Sequence, residues 1–440
     1  MIIQIFYTII IVFYEIMRIF VPTQHNLLQL ITTMKRLITI ITLIAVVLTA
    51  SGQTTVSGIV TDRKSGRPLA HVSILMEGEK IHTVTNDDGH FALTATIHPK
   101  ALRLTHIGYK TLRYQLTEDK TEGLKLSLVP NSVQLSEIVV SAEDPLQIVK
   151  AAMSRIEQNY SQESELVRCF YRETARRGSR FISIAEAVTD MYKTGYSKDV
   201  RFDAVAILKG RRLMSMKRAD TLGVKIQGGP VMPLVVDVAK NPDYLLSEDL
   251  LALCTFRMEQ PAVIDDRPHY VVSIVPRRDT EFPMMGGLLY IDQQTLAFSR
   301  AELQLDVSDW RRASEYMLVR KPLGLRFRPK ELSVTVVYKT DEQGITHMSY
   351  VRNEMRFNCD WKRRLFASPF TTVSEMVVTN RLQQGRDAQR PRGRSSFGIK
   401  ERFYDRVEYF EDPDFWAGYN IIEPTESLEN AIGKLKKKHD

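Results

Sequence analysis

Histidines are the residues of this sequence that could most readily hold a catalytic metal. A zinc peptidase site needs two ligands spaced as H-x-x-E and a later histidine, because close side chains must hold the metal while one position stays open. No histidine of the chain is followed by glutamate three positions later, and H-E-x-x-H is absent. Five histidines fall in one short stretch, where strand contexts put several on the solvent side: His71, His82, His90, His98 and His106. We therefore expect no metal ligands, and a zinc site in this stretch is the alternative.

Motifs of covalent and phosphoryl-transfer chemistry are missing too. The sequence has no G-x-S-x-G nucleophile elbow and no G-x-x-x-x-G-K-[ST] phosphate loop. Asp265-Asp266-Arg267-Pro268 has the composition of a hairpin turn, and Asp306 with Asp309 lacks the remaining ligands of a calcium loop. The sequence thus predicts no catalytic residue and no cofactor. The alternative is a hydrolase or peptidase whose site is assembled from distant strands.

One arginine-rich segment is the candidate binding site. Residues 384–394 contain glycine and proline, which predicts an exposed, flexible loop. Its four arginines could dock phosphate-bearing lipid headgroups or an acidic protein: Arg386, Arg390, Arg392 and Arg394. A simply solvated loop is the alternative. No aromatic residues alternate with these arginines, and the formal charge of the chain is only +8, so we do not expect a nucleic acid as partner.

The stretch from Thr54 to Leu128 is the first element that must position such residues. Short apolar runs, several with period two, predict half-buried strands. Turn signals separate them at Lys64 to Pro68 and at Asn86 to Gly89, where side-chain amides and glycine favour tight turns. Strands at this spacing predict an antiparallel β-sandwich.

Four ordered motifs in this stretch resemble the carboxypeptidase-regulatory-like family, a transthyretin-like sandwich. They are G-x-V-x-D at Gly58 to Asp62, P-L-x-x-V-x-I at Pro68 to Ile74, T-x-x-x-G-x-F at Thr85 to Phe91, and G-Y-K at Gly108 to Lys110. The resemblance implies an Ig-like fold and no peptidase activity. Leu135 to Ala142 is similar to the segment that follows this sandwich in Bacteroidota envelope proteins, including TonB-linked receptors.

A basic and then apolar segment precedes the sandwich. Met34-Lys35-Arg36 is followed by the apolar run Leu37 to Leu48, and Ala50-Ser51-Gly52 supplies small residues for cleavage. We expect a secretory signal that is cut before Gln53. Because no cysteine follows the apolar run, a lipoprotein anchor is not expected.

Residues 1–33 do not fit this export signal. They are apolar and lack a basic leader. We expect a start codon that is assigned too early. The alternative is a membrane helix from Ile2 to Phe20, which is long enough to span but is interrupted by Glu15 and Arg18.

The chain after the sandwich is predicted to be mostly a large antiparallel sheet. A helix should begin after its cap Asp144, and a helical insertion should cover Met232 to Ala239 and Ser247 to Leu253. Alternating segments predict strands, and they include Phe298 to Leu305 and Glu315 to Arg320. Further predicted strands are Leu166 to Thr174, Phe181 to Tyr192, Phe202 to Lys209, Tyr270 to Val275, Gly287 to Asp292, Arg326 to Arg328, Leu332 to Lys339, Met348 to Phe357 and Thr371 to Thr379.

The hairpin of Gly287 to Leu296 and Ser299 to Leu303 is similar to a unit of LolA/LolB-like lipoprotein carriers. Those proteins are curved, incomplete barrels with a helix in the mouth. The resemblance implies an apolar concave face that could take a lipid chain. If it does not hold, the same residues are core.

The aromatic tail and the three cysteines are the remaining features of the sequence. Aromatic residues of the tail should pin the C-terminus onto the second domain: Phe410, Phe415, Trp416 and Tyr419. The cysteines Cys169, Cys254 and Cys359 are expected to be small buried hydrophobes, with one disulfide as the alternative.

These observations predict a mainly β protein, with an Ig/transthyretin-like sandwich before a large antiparallel curved sheet or half-barrel with a few helices. The expected divisions are 1–33, 34–52 (signal), 53–130 (sandwich), 131–160 (linker strand and helix), 161–385 (sheet), 386–402 (basic loop) and 403–440 (aromatic segment and helix). We expect a non-catalytic protein exported to the periplasm or outer membrane, which binds an outer-membrane lipid, a glycan or an envelope protein. A part in a TonB-linked uptake system is a further alternative, although the chain is short for a complete large barrel.

Overall fold

Thr54 is the first residue that the structure describes. The computed structural model describes residues 54–95, 100–117, 120–131, 144–215, 225–226, 228–277, 280–320, 323–361, 368–391, 396–398, 401, 403, 406–409, 416 and 419–436. The expected export signal, residues 1–33 and the segment Leu135 to Ala142 lie outside these ranges. Within them, no helix combines the length and the apolarity that crossing a bilayer requires.

Seven short strands form the sandwich that the turn pattern predicts. They are β1 (Thr54–Asp62), β2 (Ser73–Glu77), β3 (Ile81–Val84), β4 (His90–Ala95), β5 (Ala101–Thr105), β6 (Leu112–Gln115) and β7 (Leu124–Leu128). One sheet has the order β4-β1-β7 and the other β3-β2-β5-β6. The expectation of a purely antiparallel sandwich is wrong at one pair, because β1 and β7 run parallel.

Asp62 joins the first sequence motif to the last. Its carboxylate accepts hydrogen bonds from the amides of Lys64 (2.9 Å) and Ser65 (2.5 Å), which closes the turn after β1. Its other oxygen accepts a bond from the Tyr109 hydroxyl at 2.8 Å. These bonds, that of the Ser65 amide foremost, lower the pKa of Asp62 to about 2. The two motifs are therefore one structural unit.

Thr85 joins the second motif to the third. Its hydroxyl donates to the carbonyl of Leu69 at 2.6 Å and accepts from the amide of Val72 at 2.9 Å. Gly89, in the same hairpin motif, has φ 79°, and a Cβ there would lie 2.7 Å from the carbonyl oxygen of Val60. Thus threonine and glycine are required at these positions by close contacts with neighbouring backbone.

A thirteen-stranded sheet follows the sandwich. Its strands are β8 (Glu165–Arg177), β9 (Arg180–Lys193), β10 (Ala204–Met214), β12 (Cys254–Met258), β13 (Ala262–Ile264), β14 (Arg267–Pro276), β15 (Met285–Asp292), β16 (Phe298–Leu305), β18 (Leu325–Thr340), β19 (Thr346–Trp361), β20 (Pro369–Gln384), β21 (Ser396–Phe397) and β22 (Glu408–Tyr409). The order is β12-β14-β15-β16-β18-β19-β20-β8-β9-β10-β21, with β13 beside β14 and β22 beside β10. A separate two-stranded ribbon pairs β11 (Lys225–Ile226) with β17 (Leu318–Arg320). The predicted mainly β fold with a large open antiparallel sheet is confirmed.

The helices are short. They are α1 (Pro145–Ser154), α2 (Ile156–Asn159), α3 (Met232–Val235), α4 (Pro242–Leu245), α5 (Glu248–Ala252), α6 (Trp310–Met317) and α7 (Glu426–Lys436). As predicted, the Asp144 side chain caps α1 by accepting from the amide of Leu146 at 3.0 Å. The predicted turn at Asp265 and Asp266 is also confirmed: both have left-handed backbone, with φ 52° and 60°, between β13 and β14.

Alternation along the strands gives the large sheet two different faces. On β8, Cys169 and Tyr171 point to the inner face, which packs on α1 and α3–α5 in one apolar core. Phe170 points to the outer face, where it meets Val84 of the sandwich and Ile422 of the tail. Antiparallel sheets commonly leave one face solvated. Here the sandwich covers much of the second face.

The expectation of a strand from Glu315 to Arg320 is wrong over its first half and right for Leu318 to Arg320, which form β17. Residues 310–317 form α6, because Asp309 caps the amide of Arg311 at 3.0 Å and helical spacing buries Ala313 and Met317. In the ladder, β16 pairs with β18 only over Ser333 to Val337, and α6 packs beside the earlier part of β18. The packing of α6 beside the part of β18 that does not pair with β16 outweighs the local strand pattern.

The two predicted strands Arg326 to Arg328 and Leu332 to Lys339 are a single strand, β18. Its register against β19 shifts between Pro329 and Glu331. A proline cannot donate to the ladder, so an irregularity is the position that accepts it within a long strand.

The cysteines follow their prediction in part. Cys169 and Cys359 are buried, and Cys254 on the edge strand β12 is half-buried. No disulfide joins any two of these three described residues.

Residues 419–425, which we call the C-terminal strap, run between the sandwich and the large sheet. Thr83 donates to the carbonyl of Ile421 at 3.0 Å, and Asn86 donates to that of Pro424 at 3.0 Å. From the sheet, Arg172 donates to the carbonyl of Ile422 at 2.8 Å. The strap thus bonds to both bodies.

The residues beside the strap extend this contact. Trp416 packs edge-on against Phe170, and α7 buries Leu428 and Leu435 against β9 and β10. The predicted anchoring of the tail by Trp416 and Tyr419 is confirmed. The predicted contributions of Phe410 and Phe415 lie outside the described residues.

Gly58 of the first motif offers a test of this packing. A Cβ there would lie 2.3 Å from the Leu124 carbonyl oxygen of β7. We expect Gly58→Ala to lower the free energy of unfolding by about 2 kcal/mol, because the β1–β7 pair must separate. Urea denaturation measures it. Gly433→Ala in α7 is the control: nothing lies within 4 Å, and stability should rise by up to about 1 kcal/mol. Equal effects at both glycines would contradict the packing argument.

Candidate functional site

Two of the four arginines of the candidate binding site are described. Arg386 and Arg390 are exposed, and Arg386 sits in a short 3₁₀ turn at the end of β20. The turn is held to the sheet domain, since the amide of Gly385 donates to the carbonyl of Ser164 at 2.8 Å. Arg392 and Arg394 lie outside the described residues. Anionic docking by the four arginines stays a prediction.

The sandwich histidines lie elsewhere than strand alternation predicts. His90 is exposed, whereas His71, His82 and His106 lie at the joint with the large sheet, and His98 falls outside the described residues. The expected solvent face of the sandwich is in fact covered by a second body, which alternation within one domain cannot reveal. Among the described residues, no three His, Cys, Asp or Glu side chains gather as metal ligands.

Ion pairs cross the outer face of the large sheet. Glu186 on β9, with a side chain only 1% exposed, accepts from Arg172 on β8 at 2.7 Å and from Arg211 on β10 at 2.8 Å. Burial opposes its ionisation, but the two guanidinium groups outweigh burial and lower the pKa of Glu186. Trp416 donates to the same carboxylate at 3.3 Å. This cluster ties three strands to the tail.

Glu375 on β20 is the centre of the joint between the two bodies. Its carboxylate accepts from the Tyr350 hydroxyl at 2.7 Å and from Arg352 at 2.9 Å. On the sandwich side, His71 Nε2 lies 3.6 Å from Glu375 and 3.3 Å from Asp87, and its ring stacks on Tyr350 at 5.6 Å. Sheet and sandwich therefore share one charged cluster.

The pKa values of this cluster follow from its pairing. Burial opposes ionisation of Glu375, but the nearby His71 ring and the charge of Arg352 outweigh it, so its pKa lies well below the usual range. Burial would lower the pKa of His71, but Asp87 and Glu375 outweigh burial and raise it. The cluster is thus most stable with charged partners on both sides of the joint.

A small polar cavity lies beside this cluster. Sandwich residues His71, Thr105 and His106 face Arg300 and Lys339 of the sheet across it. Its volume of about 30 Å³ is room for one or two water molecules and too little for a metabolite or an acyl chain. The cavity is therefore a narrow polar seam between the two bodies.

Lys339 closes one side of this seam. Its ammonium group donates to Thr105 of the sandwich at 2.6 Å and to Asp265 of the β13–β14 turn at 2.9 Å. Burial opposes ionisation of Asp265, yet Lys339 outweighs it and lowers the pKa of that carboxyl. One cation therefore holds the sandwich, the sheet and a hairpin turn together.

A second buried cluster fixes the helical insertion to the inner face. Asp237, in the segment between α3 and α4, pairs with Lys193 and accepts from Tyr338 at 2.8 Å and from Tyr196 at 3.2 Å. Burial and the Asp237 charge raise the pKa values of both tyrosines, so they stay protonated donors. The side chain of Asp237 is 1% exposed. This cluster holds structure in place and has no access for a substrate.

The sequence alone does not single out Glu375, Arg352, Lys339 or Glu186. A signal was available on β19, where Arg352, Glu354 and Arg356 share one strand face at spacing two. Such a row indicates ordinary solvated alternation unless another body covers it. No local pattern in the sequence indicates that the sandwich covers this face of β19.

A comparison with known protein families supports the prediction made for the first domain. Residues 56–140 match the CarboxypepD_reg-like domain family, which confirms the resemblance drawn from the four motifs. No curated protein matches the chain.

Two crystal structures are similar at a low level. A DUF1329 family protein from Desulfovibrio piger is 12% identical with a TM-score of 0.22, over 54% of this chain and 94% of that chain. A LolA superfamily protein from Nitrosomonas europaea is 12% identical with a TM-score of 0.19, over 54% of this chain and 95% of that chain.

Removing the Glu375 carboxylate should loosen the joint. We expect Glu375→Gln to lower the free energy of unfolding by about 3 kcal/mol, because Arg352 and His71 lose their buried partner. Guanidinium denaturation measures it. Glu331→Gln is the matched control: its pair with Arg356 is half-exposed, and the loss should stay below about 1 kcal/mol. Similar losses in the two variants would contradict a special role for Glu375.

The joint should also weaken in acid through His82. Burial lowers its pKa to about 3, and its Nδ1 has no hydrogen-bond partner among the described residues. Between its unfolded pKa of about 6.5 and that folded value, only the unfolded chain binds the proton, so stability falls by up to about 1.4 kcal/mol per pH unit. We expect His82→Met to flatten the loss of stability measured between pH 7 and pH 5.

Two other histidines sharpen this pH test. Exposed His90→Gln is the control and should leave the slope unchanged. His71 has the opposite sign: its raised pKa stabilises the fold below about pH 6.5, and that contribution is lost as the pH rises through the raised value. His71→Gln should therefore steepen the acid loss. A wild-type slope in His82→Met would exclude His82 as its source.

Proposed function

We propose that this chain is a non-catalytic, exported cell-envelope protein that acts by binding or assembly in the periplasm or at the outer membrane. The observation that supports this most is the use of its buried carboxylates. Glu186, Glu375 and Asp237 are 1%, 14% and 1% exposed at the side chain, and each pairs with groups that hold one element against another. A general acid or base must reach the proton that it transfers. These carboxylates are instead occupied in holding the fold.

The first domain supports the same proposal. Its match to a CarboxypepD_reg-like domain concerns a regulatory type of module. Three of its histidines, His71, His82 and His106, lie at the joint with the large sheet, and its polar groups bond to the sheet and the strap. The sandwich therefore acts as a structural partner of the sheet in this proposal.

Lipid, glycan and envelope protein are the ligand classes that we propose. The inner face is apolar, as lipid binding requires, but it is packed: Phe298, Leu303 and Phe327 are each at most 2% exposed there. An acyl chain would have to replace α3–α5 on this face, because these helices pack in the same core. We also propose that Arg386 and Arg390 dock anionic headgroups.

Two measurements on the full mature protein test this function. Lipid extraction and mass spectrometry of protein purified from envelopes should recover bound lipid. Labelling with serine-directed and metal-directed activity probes should not exceed that of heat-denatured protein. Probe labelling that depends on the native fold would contradict a non-catalytic role. Recovery in the cytosolic fraction of the native host would contradict the envelope address.

A further inference from the structure

An aromatic and basic surface at one end of the large sheet has no part in the function argued so far. Three segments form it: the loop 280–283 before β15, helix α6 with its cap (309–317), and the beginning of β18 (323–330). Arg312 donates to the carbonyl of Thr280 at 2.9 Å, and Ser314 of α6 donates to the carbonyl of Phe327 at 3.4 Å. The three segments are therefore held together. We call them the α6 surface.

Large apolar side chains stand out from the α6 surface. Phe282 is 47% exposed, Trp310 37% and Leu323 98%. Hydrophobic residues normally bury most of their area, and the inward neighbours Ala313 and Met317 of α6 do so. The core contacts of α6 are thus made by its buried residues, and the exposed Trp310 is not needed for them. Single exposed apolar residues are common on protein surfaces, so these groups indicate an interaction site only together with the charges around them.

Cations surround these apolar groups. The guanidinium groups of Arg311 and Arg328 lie 5.5 Å and 5.4 Å from the centre of the Trp310 ring. On β18, buried and exposed residues alternate, so that Arg326, Arg328 and Lys330 all project outward. None of these three has an ion-pair partner among the described residues.

The charge of the α6 surface is net positive. Its three segments carry five basic residues, Arg311, Arg312, Arg326, Arg328 and Lys330. They carry three acidic ones, Glu281, Asp309 and Glu315. Asp309 is already used, since it caps α6 and pairs with Arg312 at 3.3 Å.

We propose that the α6 surface docks the protein onto an anionic lipid bilayer. Tryptophan and arginine suit the interfacial layer, where a ring meets acyl chains and a cation meets phosphate. The apolar groups protrude singly from three segments, as expected for shallow insertion into a soft interface. This inference deepens the proposed envelope role by naming the bilayer surface as a partner.

Flotation of the full mature protein with vesicles tests the inference. Wild type should bind vesicles of phosphatidylcholine with added phosphatidylglycerol and bind phosphatidylcholine alone far less. Each cation near an anionic surface is worth about fivefold in affinity, so Arg326→Gln with Arg328→Gln should weaken binding roughly 30-fold. Salt should weaken wild-type binding in the same direction. Trp310→Ala with Leu323→Ser should weaken binding at every salt concentration.

A second exposed pair provides the matched control. Arg201 lies 5.5 Å from the ring of Phe202, which is 49% exposed, in a 3₁₀ turn of another part of the chain. Arg201→Gln with Phe202→Ala should leave binding within about twofold of wild type, because the cation that it removes lies outside the α6 surface. Even a cation within the α6 surface would be worth only about fivefold in affinity. All variants change exposed side chains, and unchanged melting temperatures verify their folding.

The outcomes separate this inference from the proposed function. Wild-type binding by the α6 surface variants, or no binding of the wild type to anionic vesicles, would overturn the inference and leave the envelope role to its own probe and fractionation tests. If Arg386→Gln with Arg390→Gln abolished binding while the α6 surface variants bound like wild type, the inference would also be overturned and docking would be assigned to that loop. Crosslinking of the α6 surface to an envelope protein without vesicle binding would replace the bilayer by a protein partner.

Discussion

The ionised carboxylate of Glu375 under the sandwich is the group on which the joint of the two bodies depends. A charge that is removed from water is tolerated only when it is paired and hydrogen-bonded. The sheet supplies Tyr350 and Arg352 to this carboxylate, and the sandwich supplies His71. If the sandwich left, the cluster would lose one of its partners and gain water. The charges therefore fix where the sandwich sits as well as how firmly.

The same requirement explains the strap and the seam. Arg172 needs acceptors beyond Glu186, and the carbonyl of Ile422 provides one. Lys339 needs acceptors beyond Asp265, and Thr105 provides one. Both of these cations are thus satisfied in part by an element that is distant in sequence. These buried charged groups hold one element of the fold against another, which is the physical basis for proposing binding and not catalysis.

Local features of the fold could be predicted because their causes are local. The Asp144 cap, the left-handed turn at Asp265 and Asp266, and the four sandwich motifs each depend on contacts that recur wherever those residues recur. Helix α6 could not, because its strand-like pattern is overridden by the unpaired stretch of β18. The buried histidines could not, because strand alternation says which side a residue faces and not what covers that side.

The candidate site was less predictable than the fold for the same reason. Arg386 and Arg390 stand out in the sequence because they cluster, and the structure finds them exposed. Glu375 is one of many charged residues in an alternating strand, and only the long-range pairing with His71 makes it special. Its importance lies in a contact across some three hundred residues of chain, which no window of sequence contains.

Native-state hydrogen exchange of the two bodies tests the central claim most directly. Mass spectrometry can follow amides of β1–β7 and of β8–β10 in the same molecule under mild denaturant. If the outer-face charges unite the bodies, the most protected amides of both should open with one common free energy. Sandwich amides that exchange through a separate, lower-energy opening while the large sheet stays protected would contradict the account.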